Sequence, residues 1–254
     1  MRGYVDVALL GGFPEVVLQG SARLRRVWLD SSIEQLLTRD AALVDTDRDP
    51  RRLRRYLRAL AANTAGVVGH KTVYDAAGIS HATAQAYDGL LDLLMVTEQL
   101  PAWAASRLDR LARTPKRYLT DPSLLVPLLN VDARAVLRDG DLLGRLIDTF
   151  VVAQLRPEAA VADVPASLAH LRTQNGRQEI DLVAERADGR LVAMEIKAAA
   201  AVNVADARYL AWLRDRRGDD FVAGIVFHTG PHGYRLAERI WALPIAAIWS
   251  RSSG

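Results

Sequence analysis

Residues 177–197, RQEIDLVAERADGRLVAMEIK, constrain the fold more tightly than any other stretch of the chain. Two apolar runs flank the pair Asp188-Gly189, and Asp-Gly between alternating apolar runs is among the strongest short-range signals for a β-hairpin. Side chains alternate along a strand, so Glu179 and Asp181 share one face while Ile180 and Leu182 share the other. By the same rule Glu195 and Lys197 lie together, with Ile196 opposite. Pairing the two strands through the turn brings three carboxylates and one ammonium together. Isolated charges are expensive to bury. Grouped, two carboxylates suit a hard cation such as Mg²⁺, and a neighbouring lysine can orient an attacking water and offset phosphate charge. The plainer alternative is a salt-bridge cluster on a half-exposed sheet. Among 33 basic residues only Lys71, Lys116 and Lys197 are lysines, so a lysine at a strand end is not surface filler.

The surroundings of the hairpin define a domain. Upstream, GDLLGRLIDTFVVAQLR reads as a helix with Leu143, Ile147, Phe150 and Val151 on one side. ASLAHLRTQ and the turn pair Asn175-Gly176 add a strand, giving a three-stranded meander. Residues 205–217 return to helix, FVAGIVFH reads as a buried strand and IWALPIAAIW as the last one. Helix, meander, helix and strand make an α/β (α+β) domain over residues 130–254.

The first half of the chain is helical in pattern. Residues 1–20 are broken by glycine and proline and show no clear periodicity, whereas residues 22–37 suggest one helix. The charged run DTDRDPRR reads as a boundary. Beyond Pro50, Arg51, Arg54, Arg55 and Arg58 follow the i, i+3, i+4, i+7 spacing of one helix face, with Leu53, Tyr56, Leu57 and Leu60 opposite. That face is either solvated or a phosphate-contacting stripe; both readings stay open. In HKTVYDAAGISHATAQAYDGLLDLL, Gly78 fits a left-handed helix C-cap and Ser80 an N-cap. Two helices joined there form a helix-turn-helix. With MVTEQLP and KRYLTD as wing strands, residues 49–129 read as a winged helix. Its second helix offers His81, Thr83 and Gln85 for base contacts but also Asp88 and Asp92, so DNA and protein partners both remain open.

Several classes are excluded. The stretch GVVGHKT has His70 where a phosphate loop needs glycine before the lysine, so no P-loop is present and this chain hydrolyses no nucleotide by that route. The absence of cysteine rules out disulfides, a thiolate nucleophile and Cys-ligated zinc, and fits a reducing cytoplasm. No apolar run approaches the ~20 residues of a membrane helix. The net charge of +3 is modest.

Asp181, Glu195 and Lys197 form D-x13-E-x-K across a hairpin, the arrangement of the PD-(D/E)XK nuclease superfamily, which this region resembles. Along the whole chain GGFPE, WLDSSIEQLLTRD, the helix-turn-helix, PKRYLTDPSL, GRLIDTFVVAQL, LRTQNGRQEIDLV and MEIK occur in order. Together they resemble the C-terminal half of prokaryotic AAA-type ATPases ending in domain-of-unknown-function family 4143. The resemblance implies that residues 1–48 correspond to the end of an ATPase module, including Arg39 of an Arg-Asp pair, whose core this chain lacks. It also implies a further metal-ligating carboxylate at Asp148, where the family usually has glutamate, and Gln154 replaces another frequent glutamate.

The expected function is a DNA-associated cytoplasmic module with a Mg²⁺-dependent phosphodiesterase centre. Asp181, Glu195 and Lys197 would be catalytic, with Asp148 and Glu179 assisting at the metal. Arg172, the arginines at 51, 54, 55 and 58, and His81, Thr83 and Gln85 would meet nucleic acid. The alternatives are a non-catalytic interaction module that docks on a partner protein or the missing ATPase, and a toxin-like regulator.

Overall fold

The computed structural model describes residues 1–41, 49–66, 69–173 and 176–250. Half of the expected charged boundary, residues 45–48, lies outside them, as do Val67 and Val68 of GVVGHKT and Asn175 of the Asn175-Gly176 turn. The chain mixes helix and sheet and forms two compact units. One comprises Arg2–Gln99 and Lys116–Phe150; the other comprises Leu100–Pro115 and Val151–Gly254, together with Met1. Among the described residues no helix is long and apolar enough to cross a membrane.

The helical unit opens with α1 (Arg2–Leu10), α2 (Pro14–Val17) and α3 (Ala22–Gln35). The first two fall where the sequence shows no periodicity. Val5 and Ala8 are the buried positions of α1, too few to print a helical pattern. A π-helical turn, Leu36–Asp40, prolongs α3. Next come α4 (Pro50–Ala62), α5 (His70–Ala77) and α6 (His81–Leu93). Asp49 caps α4 by accepting from the Arg51 N–H, and Pro50 supplies the preset φ that suits a first helical position. Gly78 ends α5 in the left-handed conformation (φ 66°, ψ 41°), and the Ser80 hydroxyl accepts from the Thr83 N–H to start α6. The short strands β1 (Thr97–Leu100) and β2 (Lys116–Leu119) pair in a two-stranded sheet.

A polar network ties the unit together. Asp88, on α6, is buried, accepting from the Tyr56 hydroxyl at 2.7 Å and the Arg117 guanidinium at 3.0 Å, with His70 Nε2 at 3.0 Å. Burial and this carboxylate push the Tyr56 hydroxyl far above its ordinary pKa. The unit closes with α8 (Leu125–Leu129), α9 (Ala133–Arg138) and the start of α10 (Gly140–Val161), α7 being the short Arg107–Ala112 helix of the other unit.

The sheet unit is built on six strands in the order β3-β4-β5-β6-β8-β7. These are β3 (Ala166–Arg172), β4 (Glu179–Arg186), β5 (Leu191–Ile196), β6 (Phe221–His228), β7 (Tyr234–Ala237) and β8 (Ile240–Pro244). The first three are the antiparallel meander, whereas β5, β6 and β8 run parallel. Helix α11 (Arg208–Arg217) connects β5 to β6 and buries Leu210 and Leu213 against Val183, Ala193 and Phe221. A bulge at His170 interrupts β3, where residues 101–103 pair with it: His170 N–H donates to Pro101 O and Trp103 N–H to His170 O. This covers an edge strand that would otherwise offer unpaired backbone groups.

Two expectations change. The final strand was expected over residues 240–249 but ends at Pro244, which lacks a donor, and residues 245–249 form a 3-10 turn. Strand β7 carries no turn signal in sequence, because its hairpin with β8 turns on Arg239 at φ 56° rather than on glycine. The Arg239 guanidinium compensates by donating to Gly218 O and Phe221 O.

The loop after β5 is clamped. Thr229 N–H donates to Ala199 O, and the Tyr234 hydroxyl both receives from Val202 N–H and donates to Val202 O. A Cβ on Gly230 would lie 2.0 Å from Ala200 O. Gly230→Ala should therefore force the loop away from β6 and destabilise by about 1–3 kcal/mol, as overpacking does. Thermal melts should show a midpoint lowered by several degrees; an unchanged midpoint would mean the clamp is loose.

Candidate functional site

Strand ends, not strand middles, build the site. The β4–β5 ladder runs in register from Glu185↔Leu191 to Leu182↔Met194. One step further, the Asp181 side chain takes over the backbone's role, its Oδ2 accepting from the Ile196 N–H at 3.0 Å. Glu195 lies on the sheet face of Leu191 and Ala193, just beyond their contact with the apolar core. Lys197 follows on the same face, and its Nζ donates to Glu195 Oε2 at 2.9 Å. Its own N–H donates to Phe227 O, which holds the strand end against β6.

Glu179, Asp181, Glu195 and Lys197 line one cleft of about 280 Å³, closed on the far side by Ala205, Asp206, Arg208 and Tyr209. The cleft opens where parallel β5 ends and α11 begins, the position at which α/β sheets bind ligands. The sequence brings the four charged residues of the hairpin here. Asp206, Arg208 and Tyr209 were not expected; they follow a stretch of eight alanine, valine and asparagine residues that carries no motif.

Glu195 dominates the electrostatics. It is only 4% exposed, and its Oε1 receives no hydrogen bond from any described donor. Burial and the adjacent Asp181 carboxylate push its pKa up to about 8, against the opposing pull of Lys197. Its acidic proton is therefore largely retained at neutral pH. Lys197 is lowered by burial, but Glu195 and Asp181 outweigh that and hold the ammonium above its usual range.

Among the described residues no group of three or more His, Asp or Glu is arranged to hold a metal. The donor set is instead a pair of carboxylates with a lysine. That set suits Mg²⁺, which keeps several waters and commonly takes one or two carboxylates.

The remaining expected residues are not among those that line this cleft. Asp148 belongs to the helical unit, where Tyr118 donates to its Oδ1 at 3.3 Å and the buried Lys116 ammonium lies 3.9 Å from its Oδ2. Arg51, Arg55 and Arg58 are exposed on α4, whereas Arg54 is paired with Glu34. On α6, His81 and Gln85 are exposed and Thr83 is half-buried beside Ser80. Arg172 ends β3, half-exposed and 4.0 Å from Glu179.

An α+β chain with these features is matched over residues 1–135, just over half its length, by the family described as Domain of unknown function DUF8612, and it belongs to that family. Residues 143–248, which contain the cleft's charged hairpin, match Domain of unknown function DUF4143. Two mycobacterial proteins are similar throughout: Uncharacterized protein Mb2031c of Mycobacterium bovis and Uncharacterized protein Rv2008c of Mycobacterium tuberculosis. Each is 29% identical over 247 residues, covering 96% of this chain and 53% of the relative. The chain thus spans about half the length of the curated relatives it matches. No solved structure matches it significantly.

The raised Glu195 pKa fixes a pH dependence. A carboxyl that holds its proton more tightly when folded contributes stability below its unfolded pKa, and that contribution is lost as pH rises through the folded value of about 8. Glu195→Gln removes the buried charge, so its melting temperature should gain on wild type steadily between pH 5 and pH 9. The corresponding gain in unfolding free energy should be on the order of 2–4 kcal/mol at the alkaline end. A difference independent of pH would show that Glu195 ionises freely in the fold.

Proposed function

We propose that the cleft is a Mg²⁺-dependent phosphodiesterase centre in a DNA-associated protein. The observation that carries this reading is that Asp181, the buried Glu195 and Lys197 line one cleft, with Glu195 Oε1 enclosed and receiving no hydrogen bond from a described donor. Ionised, that oxygen would be costly to leave without a partner; a proton removes the cost, and a bound cation would take the proton's place. The element order and the D-x13-E-x-K spacing support the same reading through their resemblance to PD-(D/E)XK nucleases. When bound, Mg²⁺ supplies Lewis-acid activation of a phosphodiester oxygen and of water.

Asp181 and Glu195 would hold the ion, with Glu179 at the rim. Lys197 would fix a water or a phosphate oxygen, because its ammonium is already held by Glu195. The proposed winged helix, α4 to α6 with β1 and β2, would bring DNA through the exposed arginines of α4.

A second reading applies to the helical unit, as a protein-docking module. Asp88 and Asp92 are both engaged internally, Asp92 by Thr97 and Gln99. The exposed face of α6 is then His81, Ala82, Gln85, Gly89 and Leu93, which is sparse in cations. The relatives' additional length leaves room for a covalently attached partner such as an ATPase module.

Two experiments separate these readings. Lys197→Arg and Lys197→Ala should both abolish Mg²⁺-dependent cleavage of duplex DNA with melting temperatures little changed, since a planar guanidinium does not replace a compact ammonium. Asp181→Asn should lose metal binding as well. If wild type cleaves with neither Mg²⁺ nor Mn²⁺, and only the melts respond, the cluster is structural.

For the helical unit, reversing Arg51, Arg55 and Arg58 to glutamate should weaken binding uniformly across DNA sequences and flatten its salt dependence. Unchanged affinity would assign α4 a solvated face and favour the docking module.

A further inference from the structure

The cleft wall opposite the hairpin carries a cation in a place that folding alone does not favour. Arg208 is the first residue of α11, where the positive end of the helix dipole opposes a cation. No acidic residue stands in the first turn to offset it. Asp206, two residues earlier, has its carboxylate engaged by the Asn203 N–H in a capping box. Among the described residues Arg208 makes no salt bridge, and its side chain is exposed. A local rule broken in this way directs attention to function.

What holds Arg208 is the ring of Tyr209, over which the guanidinium carbon lies 4.5 Å from the centroid. Tyr209 itself packs against the apolar core of the sheet unit. The ring is therefore a pedestal, occupied by core and guanidinium, and not a platform for a stacking base. Both residues line the same cleft as Glu179, Asp181, Glu195 and Lys197.

We propose that Arg208, seated on Tyr209, is the phosphate-binding residue of this cleft, gripping a DNA backbone phosphate beside the one presented to Asp181 and Glu195. The inference rests on reading the cleft as a phosphodiesterase centre and adds how its substrate is held. A guanidinium fits the assignment because its planar fork of donors matches phosphate oxygens, and stacking on the ring sets that plane in advance. Lys197 has a different part: held by Glu195 beside the proposed ion, it would meet the reacting water or phosphate oxygen, and Arg208 the neighbouring phosphate. Tyr209 is a positioning residue that acts through Arg208.

The test is binding of a short fluorescein-labelled DNA duplex, followed by anisotropy across a salt series with Ca²⁺ in place of Mg²⁺. Melting temperatures and Mn²⁺ calorimetry are recorded on the same proteins. Arg208→Ala should weaken binding about tenfold, as loss of one charge-assisted contact does, and lower the salt slope by about one. Arg208→Lys should recover part of the affinity. Tyr209→Phe should bind as wild type, and Tyr209→Leu should weaken binding in the wild-type background but not in the Arg208→Ala background.

Unchanged affinity and slope in Arg208→Ala, additive losses in the double variant, or a wild type that binds no duplex would each overturn the assignment. Failure of the metal reading is seen separately. It would appear as no Mn²⁺ heat in wild type, with the Arg208 dependence of DNA binding intact.

Discussion

The Asp181 carboxylate ends one structure and begins another. By accepting from the Ile196 N–H it satisfies the backbone donor that strand β4 leaves behind, so the ladder can stop without a buried orphan. The same carboxylate, held there, presses against Glu195 and raises its pKa. Remove the hydrogen bond and both the strand end and the electrostatics of the cleft lose their anchor. The position of Lys197 depends on it too, because the Ile196 backbone it fixes lies immediately before the lysine. The other side of that junction is secured by Lys197 N–H on Phe227 O and by the loop held on Thr229 and Tyr234. The cleft is thus defined by backbone hydrogen bonds at strand ends, which gives its side chains a rigid base.

Much of this was legible in the sequence, for identifiable reasons. Alternation with period two put Glu195 and Lys197 on one face, and the Asp188-Gly189 turn fixed the register that sets Asp181 against Glu195. Gly78 and Ser80 announced the turn between α5 and α6, because a left-handed cap and an N-cap each demand particular residues. Other parts left no trace. Helix α1 buries only two side chains, so its periodicity is invisible. The β7–β8 hairpin turns on an arginine in the left-handed region, stabilised by distant carbonyls that no local pattern encodes. The far wall of the cleft was missed for the same reason. Arg208 and Tyr209 matter through where the crossover from β5 sets α11 down, which is a property of the sheet and not of the segment.

Asp88 and Asp92 show how burial changes a sequence argument. As letters in a helix they weigh against contact with a polyanion. In the fold one is enclosed by Tyr56, His70 and Arg117 and the other by Thr97 and Gln99, so neither projects from α6. The helix loses its negative charges as an obstacle to DNA yet gains no cations in exchange. Of the arginines expected to meet nucleic acid in this unit, Arg51, Arg55 and Arg58 of α4 stay exposed and Arg54 is spent on Glu34.

The distribution of the three lysines bears on the cleft as well. In a chain that uses arginine almost everywhere for a surface cation, Lys71 alone of the three is exposed, paired with Asp75 one helical turn away. Lys116 is 1% exposed in the helical unit, facing Asp148, and Lys197 is half-buried against Glu195. Both interior lysines thus stand beside a carboxylate where little room remains. A guanidinium carries five donors in a rigid plane and needs acceptors around its whole rim, whereas an ammonium is compact and can be satisfied within a small space. Confinement explains Lys116 fully, since its surroundings are closed. It does not explain Lys197, whose cleft opens to solvent and is also lined by Arg208. Space would permit a guanidinium at the mouth of the cleft, and Arg208 occupies that role. On the proposed reading of the cleft, the lysine is kept where a point charge sits against one carboxylate and still faces whatever enters, a demand of the proposed chemistry beyond that of packing.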